Sequence, residues 1–167
     1  MMYRQFYLWT DTSVLRSIYI TCIRPHLEYA AQLWDPHVKR DIQLLESVQK
    51  FACKVCLKCW DMDYNNMLHC LDLPLLRVRR QHLKLITMYN IINGNTVFPA
   101  GIFNLHEYQS LRHSSSIFHR PCSRTNYFYF SYVPSVIAVG NTLPEDIRSL
   151  SVSVFKYNLL HLAHVMH

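Results

Sequence analysis

Leu75, Val78, His82, Leu85, Tyr89 and Ile92 recur at strict intervals of three and four. A chain with that spacing buries them together only as one face of an α-helix. Asn93-Gly94 supplies the stop. The same period governs the residues upstream. From a cap at Asp11 or Thr12, the residues Leu15, Ile18, Tyr19, Cys22 and Ile23 form a first stripe. Pro25 ends or kinks that helix, and Leu27, Tyr29, Ala30, Leu33 and Trp34 carry apolar material beyond it. Asp35-Pro36 reads as a restart, a side-chain cap followed by proline at the first helical position. The helix it opens has Ile42, Leu45, Val48, Ala52, Val55 and Cys59 on its seam, with Gln43, Lys50, Lys54 and Lys58 opposite. Asp63 caps a short third helix with Met67, Leu68 and Leu71 inward, and Leu73-Pro74 breaks it. Four amphipathic helices each need a facing surface, which predicts a small helical bundle over residues 1–94.

Past Gly94 the periodicity fades. Residues 95–126 hold Pro99, Gly101, Ser114-Ser115-Ser116 and Pro121, and read as a loop-rich connection. Residues 127–133 are dense in aromatic rings and predict a short strand. Asn141 to Pro144 reads as a turn or helix edge. A last amphipathic helix starts near Ser151, with Val152, Phe155, Leu159, Leu162 and Met166 on one stripe. Residues 127–167 are therefore expected to pack back on the bundle. The fold class is mainly α, and only three glycines in 167 residues argue against a loop-rich barrel.

Lys and Arg outnumber Asp and Glu by 17 to 11, and half of that excess falls between Asp35 and Gly94. Such a balance suits a polyanionic partner without demanding one. Arg4, Gln5 and Asp11 interrupt the start where a secretory core would need apolar residues. The chain is accordingly expected inside the cell, cytoplasmic or nuclear and not secreted, with its six cysteines as thiols. No apolar run suits a membrane span, so no membrane partner is expected.

The chemistry-bearing residues point away from catalysis. Cys53, Cys56 and Cys59, with Cys70 following, have the two-residue gaps that suit zinc or an iron–sulfur cluster. The same gaps also repeat the buried face of a helix, and packing is the reading adopted, with no metal and no cofactor assigned. Asp61, Asp63, Glu145 and Asp146 stand where helix starts want acidic residues. Ser114, Ser115 and Ser116 lie near His113 and His119 without any oxyanion signature, and His82 sits on an apolar face. No catalytic residue is assigned, and the chain is not expected to be an enzyme. Lys50, Lys54 and Lys58 share one helix face, as do Arg77, Arg80 and Lys84 on another. Arrays of that kind meet phosphates without reading sequence. Tyr127, Tyr129 and Tyr132 are either core rings or base-stacking rings.

Arg24-Pro25-His26-Leu27-Glu28-Tyr29-Ala30-Ala31-Gln32-Leu33-Trp34-Asp35-Pro36 is followed by Asp41-Ile42-Gln43-Leu44-Leu45-Glu46-Ser47-Val48-Gln49-Lys50-Phe51-Ala52. The pair resembles the segment downstream of the catalytic core in reverse transcriptases of jockey-like non-LTR retrotransposons, where the pattern runs R-P-x-L-E-Y-A-x-x-x-W-x-P and then D-I-x-x-L-E-x-V-Q-R/K-x-A. Leu73-Pro74-Leu75-Leu76, Arg79-Arg80, Leu83-Lys84-Leu85 and Tyr89-Asn90-Ile91-Ile92-Asn93-Gly94 continue the likeness. So do Arg112-His113-Ser114, Ser123-Arg124-Thr125-Asn126-Tyr127-Phe128, Asn141-Thr142-Leu143-Pro144 and Phe155-Lys156. The ordered series covers nearly the whole chain. It departs at Gly140, where the family has tryptophan, and at Ser135, where arginine is frequent. A Gly in place of a buried ring implies a C-terminal module that is either repacked or unstable.

The resemblance implies the thumb and downstream region of an RNA-directed DNA polymerase. The palm is missing: the chain has no adjacent aspartates to hold paired metal ions, and family sequence extends upstream of Tyr3, so a truncated element copy is expected. In the intact protein such a region would hold the primer–template through Lys50, Lys54, Lys58, Arg77, Arg80 and Lys84. Alone it would bind RNA or DNA weakly and without sequence preference. A helical module that self-associates through an exposed apolar face, and a remnant without function, are the alternatives.

Overall fold

The structure, a computed structural model, describes residues 10–96, 103, 105–106, 117–143, 153–155 and 157–159. It is mainly helical. The order is α1 (Thr12–Ile18), a π-helical segment (Tyr19–Ile23), α2 (Arg24–Glu28), α3 (Lys39–Leu57), α4 (Tyr64–Cys70) and α5 (Leu76–Ile92). A two-residue antiparallel pair follows, β1 (Leu105–His106) against β2 (Ile117–Phe118), then α6 (Asn126–Tyr129) and α7 (Tyr132–Gly140). The chain divides into two compact units, one of residues up to Tyr29 with Pro36–Arg79, the other of Ala30–Asp35 with Arg80 onward. The division falls inside α5, not at Gly94.

In the first unit the helix predicted from Asp11 starts there but does not run straight. Pro25 has no N–H and its ring crowds the carbonyl one turn back. The chain answers with a wide turn, in which Arg24 N–H bonds Tyr19 O five residues earlier, and restarts with Pro25 in the first turn of α2. The extra residue rotates the stripe. Tyr19 is buried, while Ile18, Cys22 and Ile23 are exposed.

Tyr19 joins Ala52, Cys53 and Cys56 of α3, Met67 and Leu68 of α4, and Leu71 and Leu73 in one core. The expected inward residues of α4 are thus in place, and Asp63 Oδ2 accepts from Asn65 N–H at 3.0 Å as the cap. The seam of α3 is turned from the expected one: Gln49, Ala52, Cys53 and Cys56 are buried, whereas Val48 is exposed. Gln49 tolerates the interior because both ends of its amide are used. Its Oε1 accepts from Tyr19 Oη at 2.6 Å and its Nε2 donates to Pro74 O at 2.9 Å. Two bonds from Arg16 to Leu71 O and Asp72 O tie α1 to the end of α4.

The second unit is built on the rest of α5. Leu85, Met88 and Tyr89 pack with Phe118, Val136, Ile137, Leu143, Phe155 and Leu159. Asn93-Gly94 ends α5 as expected, with Gly94 at φ +69° and Asn95 N–H closing back on Asn90 O. The aromatic stretch is not a strand. Thr125 Oγ1 accepts from Phe128 N–H, which starts a helical turn, and Ser131 precedes α7. Local capping outweighs β propensity there, with no partner strand beside it among the described residues. Of the last predicted helix, residues 153–155 and 157–159 are helical, and Phe155 stacks on Tyr89 at 4.3 Å. Val152, Leu162 and Met166 lie outside the described residues.

Gly140 is buried at the end of α7, and a Cβ there would stand 2.8 Å from Met88 Cε. The space beside Gly140 is filled by the Met88 side chain. Gly140→Ala is expected to stay within about 1 kcal/mol of the parent, since the Met88 end can swing aside and helix propensity improves. Gly140→Trp should lose about 3 kcal/mol or more through overpacking, read by urea unfolding. Tyr19→Phe should cost about 1–3 kcal/mol in the same assay, because Gln49 Oε1 loses its donor.

Candidate nucleic-acid interface

The six cations assigned from sequence do not form one array. Lys50 and Lys54 stand one turn apart on the outer side of α3. Lys54 Nζ lies 5.5 Å from the centre of the Trp60 ring, and Lys50 Nζ 6.0 Å from that of Tyr64. Lys58, beyond the helix end with φ +54°, is exposed and donates to Thr10 O at 2.8 Å. Arg77 is exposed at the start of α5, and its backbone N–H meets Glu46, one turn before Lys50. These four belong to the first unit.

Arg80 and Lys84 are turned inward. Only 2% of Arg80 and 6% of Lys84 is exposed, and both reach Asp35, Arg80 Nε at 2.9 Å from Oδ1 and Lys84 Nζ at 2.5 Å from Oδ2. Arg80 also donates to Trp34 O, and its guanidinium lies 4.3 Å from the centre of the Trp34 ring. A buried guanidinium needs such partners, since transfer out of water is costly for any unpaired charge. Asp35 is consequently not the cap expected of it. α3 begins at Lys39 after Val38, and the Asp35 carboxylate is spent on the two cations instead. Arg80 and Lys84 are withdrawn from any phosphate-facing role.

Sequence reasoning missed the rings that accompany these lysines. Phe51 is 59% exposed and Trp60 54%, and they meet edge to face with centroids 6.0 Å apart. The signal was there: Phe51 and Leu44 are apolar residues of α3 off the predicted seam. Cations over exposed rings supply both the charge and the flat apolar surface that nucleic acid takes.

Among the described residues no group of three Cys, His, Asp or Glu comes together to hold a metal ion. Cys53 and Cys56 are buried in the first core, while Cys70 is exposed. Burial, followed by the neighbouring Cys56 and Glu46, pushes the Cys53 thiol up to about 12. Burial also raises the phenols of Tyr19, Tyr64 and Tyr132 above the ordinary tyrosine range. Among the described residues no helix is long and apolar enough to cross a membrane. No family model, curated protein or solved structure matches the chain.

Two outcomes follow. Asp35→Asn strands two cations that are largely out of water, and should cost about 3 kcal/mol by urea unfolding, whereas Lys54→Glu should change stability by under about 0.5 kcal/mol. Protons held more tightly by the folded state mean stability that is full below pH 9 and erodes as pH rises toward 12, where Cys53 and the buried phenols ionise only on unfolding. The thermal midpoint should therefore fall steadily above pH 9, and Cys53 should resist alkylation at pH 8 while exposed Cys22, Cys70 and Cys122 react.

Proposed function

We propose that this chain is a non-catalytic fragment resembling the thumb and downstream region of a non-LTR retrotransposon RNA-directed DNA polymerase, and that it binds a primer–template duplex through the outer face of α3. The observation that carries this reading is the combination of exposed Lys50 and Lys58 and half-buried Lys54 with the exposed rings of Phe51 and Trp60. Lysines on a helix match phosphates by charge and not by base, which suits a protein that must hold any sequence. Arg77 is exposed as well, and its backbone N–H meets Glu46 of α3. Phosphate contacts of this number give modest, salt-sensitive affinity.

A second reading draws on the same helix. Leu44 is 67% exposed, and with Val48 and Phe51 it forms an apolar strip that favours association with another helical chain. The two readings separate in one experiment. Lys50→Glu with Lys54→Glu should weaken binding to an RNA–DNA hybrid by about tenfold or more at low salt and flatten the salt dependence by about two charges, with the helical circular dichroism unchanged. Unaltered hybrid binding in that variant would overturn the proposal. Mass that rises with concentration, with no affinity for the hybrid, would favour the association reading.

A further inference from the structure

The second unit carries a ring cluster that the α3 surface does not account for. Within one turn of helix, Tyr127 is 90% exposed and Phe128 and Tyr129 are each 43% exposed. Burying apolar rings stabilises a chain in proportion to area, so three adjacent rings left in water mark a surface that something covers. The local structure holds them outward. Thr125 Oγ1 accepts from Phe128 N–H, and Ser131 Oγ donates to Phe128 O at 2.7 Å. Tyr129 is braced on both sides. Phe130 meets it edge to face at 4.9 Å, and the Arg120 guanidinium lies 4.1 Å from its ring centre. Arg120 Nε is shielded from water and has no hydrogen-bond acceptor among the described residues, while Arg124 is exposed three residues before Tyr127.

Charge decides among occupants. No acidic residue stands between Glu107 and Glu145, so the rings sit in a stretch whose only formal charges are positive. A second copy of the chain would bring its own Arg120 and Arg124 against these. An occupant that offers flat apolar faces joined by negative charges satisfies both the rings and the arginines. We propose that Tyr127 and Phe128, beside the Arg120–Tyr129 pair and with exposed Arg124, form a stacking site for single-stranded nucleic acid. For its ligand class this rests on the nucleic-acid reading above, but it uses different residues and a different strand state. Bases stack on Tyr127 and Phe128 whatever their identity, and exposed Arg124 takes an intervening phosphate.

The test uses the full chain and fluorescence anisotropy with a short oligo(dA) and an abasic strand of the same length. Stacking predicts that the abasic strand binds about tenfold more weakly. Tyr127→Ala should weaken oligo(dA) by about tenfold and leave the abasic strand unchanged, and Tyr127→Phe should stay within about twofold. Tyr127 is too exposed for its loss to unfold the chain, and hybrid binding by the same variant serves as the internal control. Loss of oligo(dA) with the hybrid retained supports this site. Oligo(dA) binding that survives Lys50→Glu with Lys54→Glu supports it independently of the duplex reading. Equal affinity for the abasic strand or for oligoglutamate, or no effect of Tyr127→Ala, overturns it. A concentration-dependent mass abolished by Tyr127→Ala also overturns it, in favour of a second copy.

Discussion

The carboxylate of Glu46 is the constraint on which the first unit depends. Its Oε1 accepts from Tyr64 Oη at 2.7 Å and from Leu76 N–H at 3.1 Å, and its Oε2 from Arg77 N–H at 3.3 Å. A single side chain of α3 thereby caps the amino end of α5, where amide protons otherwise lack partners and the helix dipole favours negative charge. It anchors α4 in the same act. Gln49, one turn on, does the equivalent for Tyr19 and Pro74. Between them these two residues tie α3 to the π-helical segment, to α4 and to the start of α5. Their cooperation explains why α3 turns a polar pair inward and leaves Leu44, Val48 and Phe51 in water.

Ion pairs repeat this device around α5. Glu28 takes Arg79 in a two-pronged bond, Nε at 2.5 Å and Nη2 at 3.1 Å, with Arg24 adding a longer contact. The next residue, Arg80, belongs to the second unit and turns to Asp35 and Trp34. Adjacent arginines thus serve two separate cores. The basic excess of the chain is divided in consequence: part of it is structural and neutralised, and part of it stands on α3 with exposed rings. That division narrows the proposed duplex contact to Lys50, Lys54, Lys58 and Arg77.

Helical periodicity was legible wherever apolar residues alone decide it, as in Met67, Leu68 and Leu71 or in Leu85 and Tyr89. It misled where a polar group was buried. Gln49, Arg80 and Lys84 look like surface residues by type, and only their partners, distant by 25 to 49 residues, make them interior. Asp35 failed as a cap for the same reason. The strand expected at residues 127–133 failed because propensity needs a partner strand. Apart from the cations read as phosphate contacts, the polar letters in the quoted retrotransposon-like pattern had no evident task in the sequence. In the structure Arg24, Glu28, Glu46, Gln49, Arg79 and Arg80 are pins between segments, and Asn141 bonds both the N–H and the carbonyl of Phe118. Phe51 stood off the predicted seam, whereas Trp60, beyond the helix end at Leu57, could not be placed at the surface from spacing.

The most direct test of the central proposal, that a surface built on α3 binds a nucleic-acid duplex, is the affinity of the purified chain for an RNA–DNA hybrid across a salt series. Contacts from Lys50, Lys54, Lys58 and Arg77 predict that log affinity falls with log salt at a slope of about −2 to −4. A folded chain that shows no affinity, or an affinity indifferent to salt, would contradict the account.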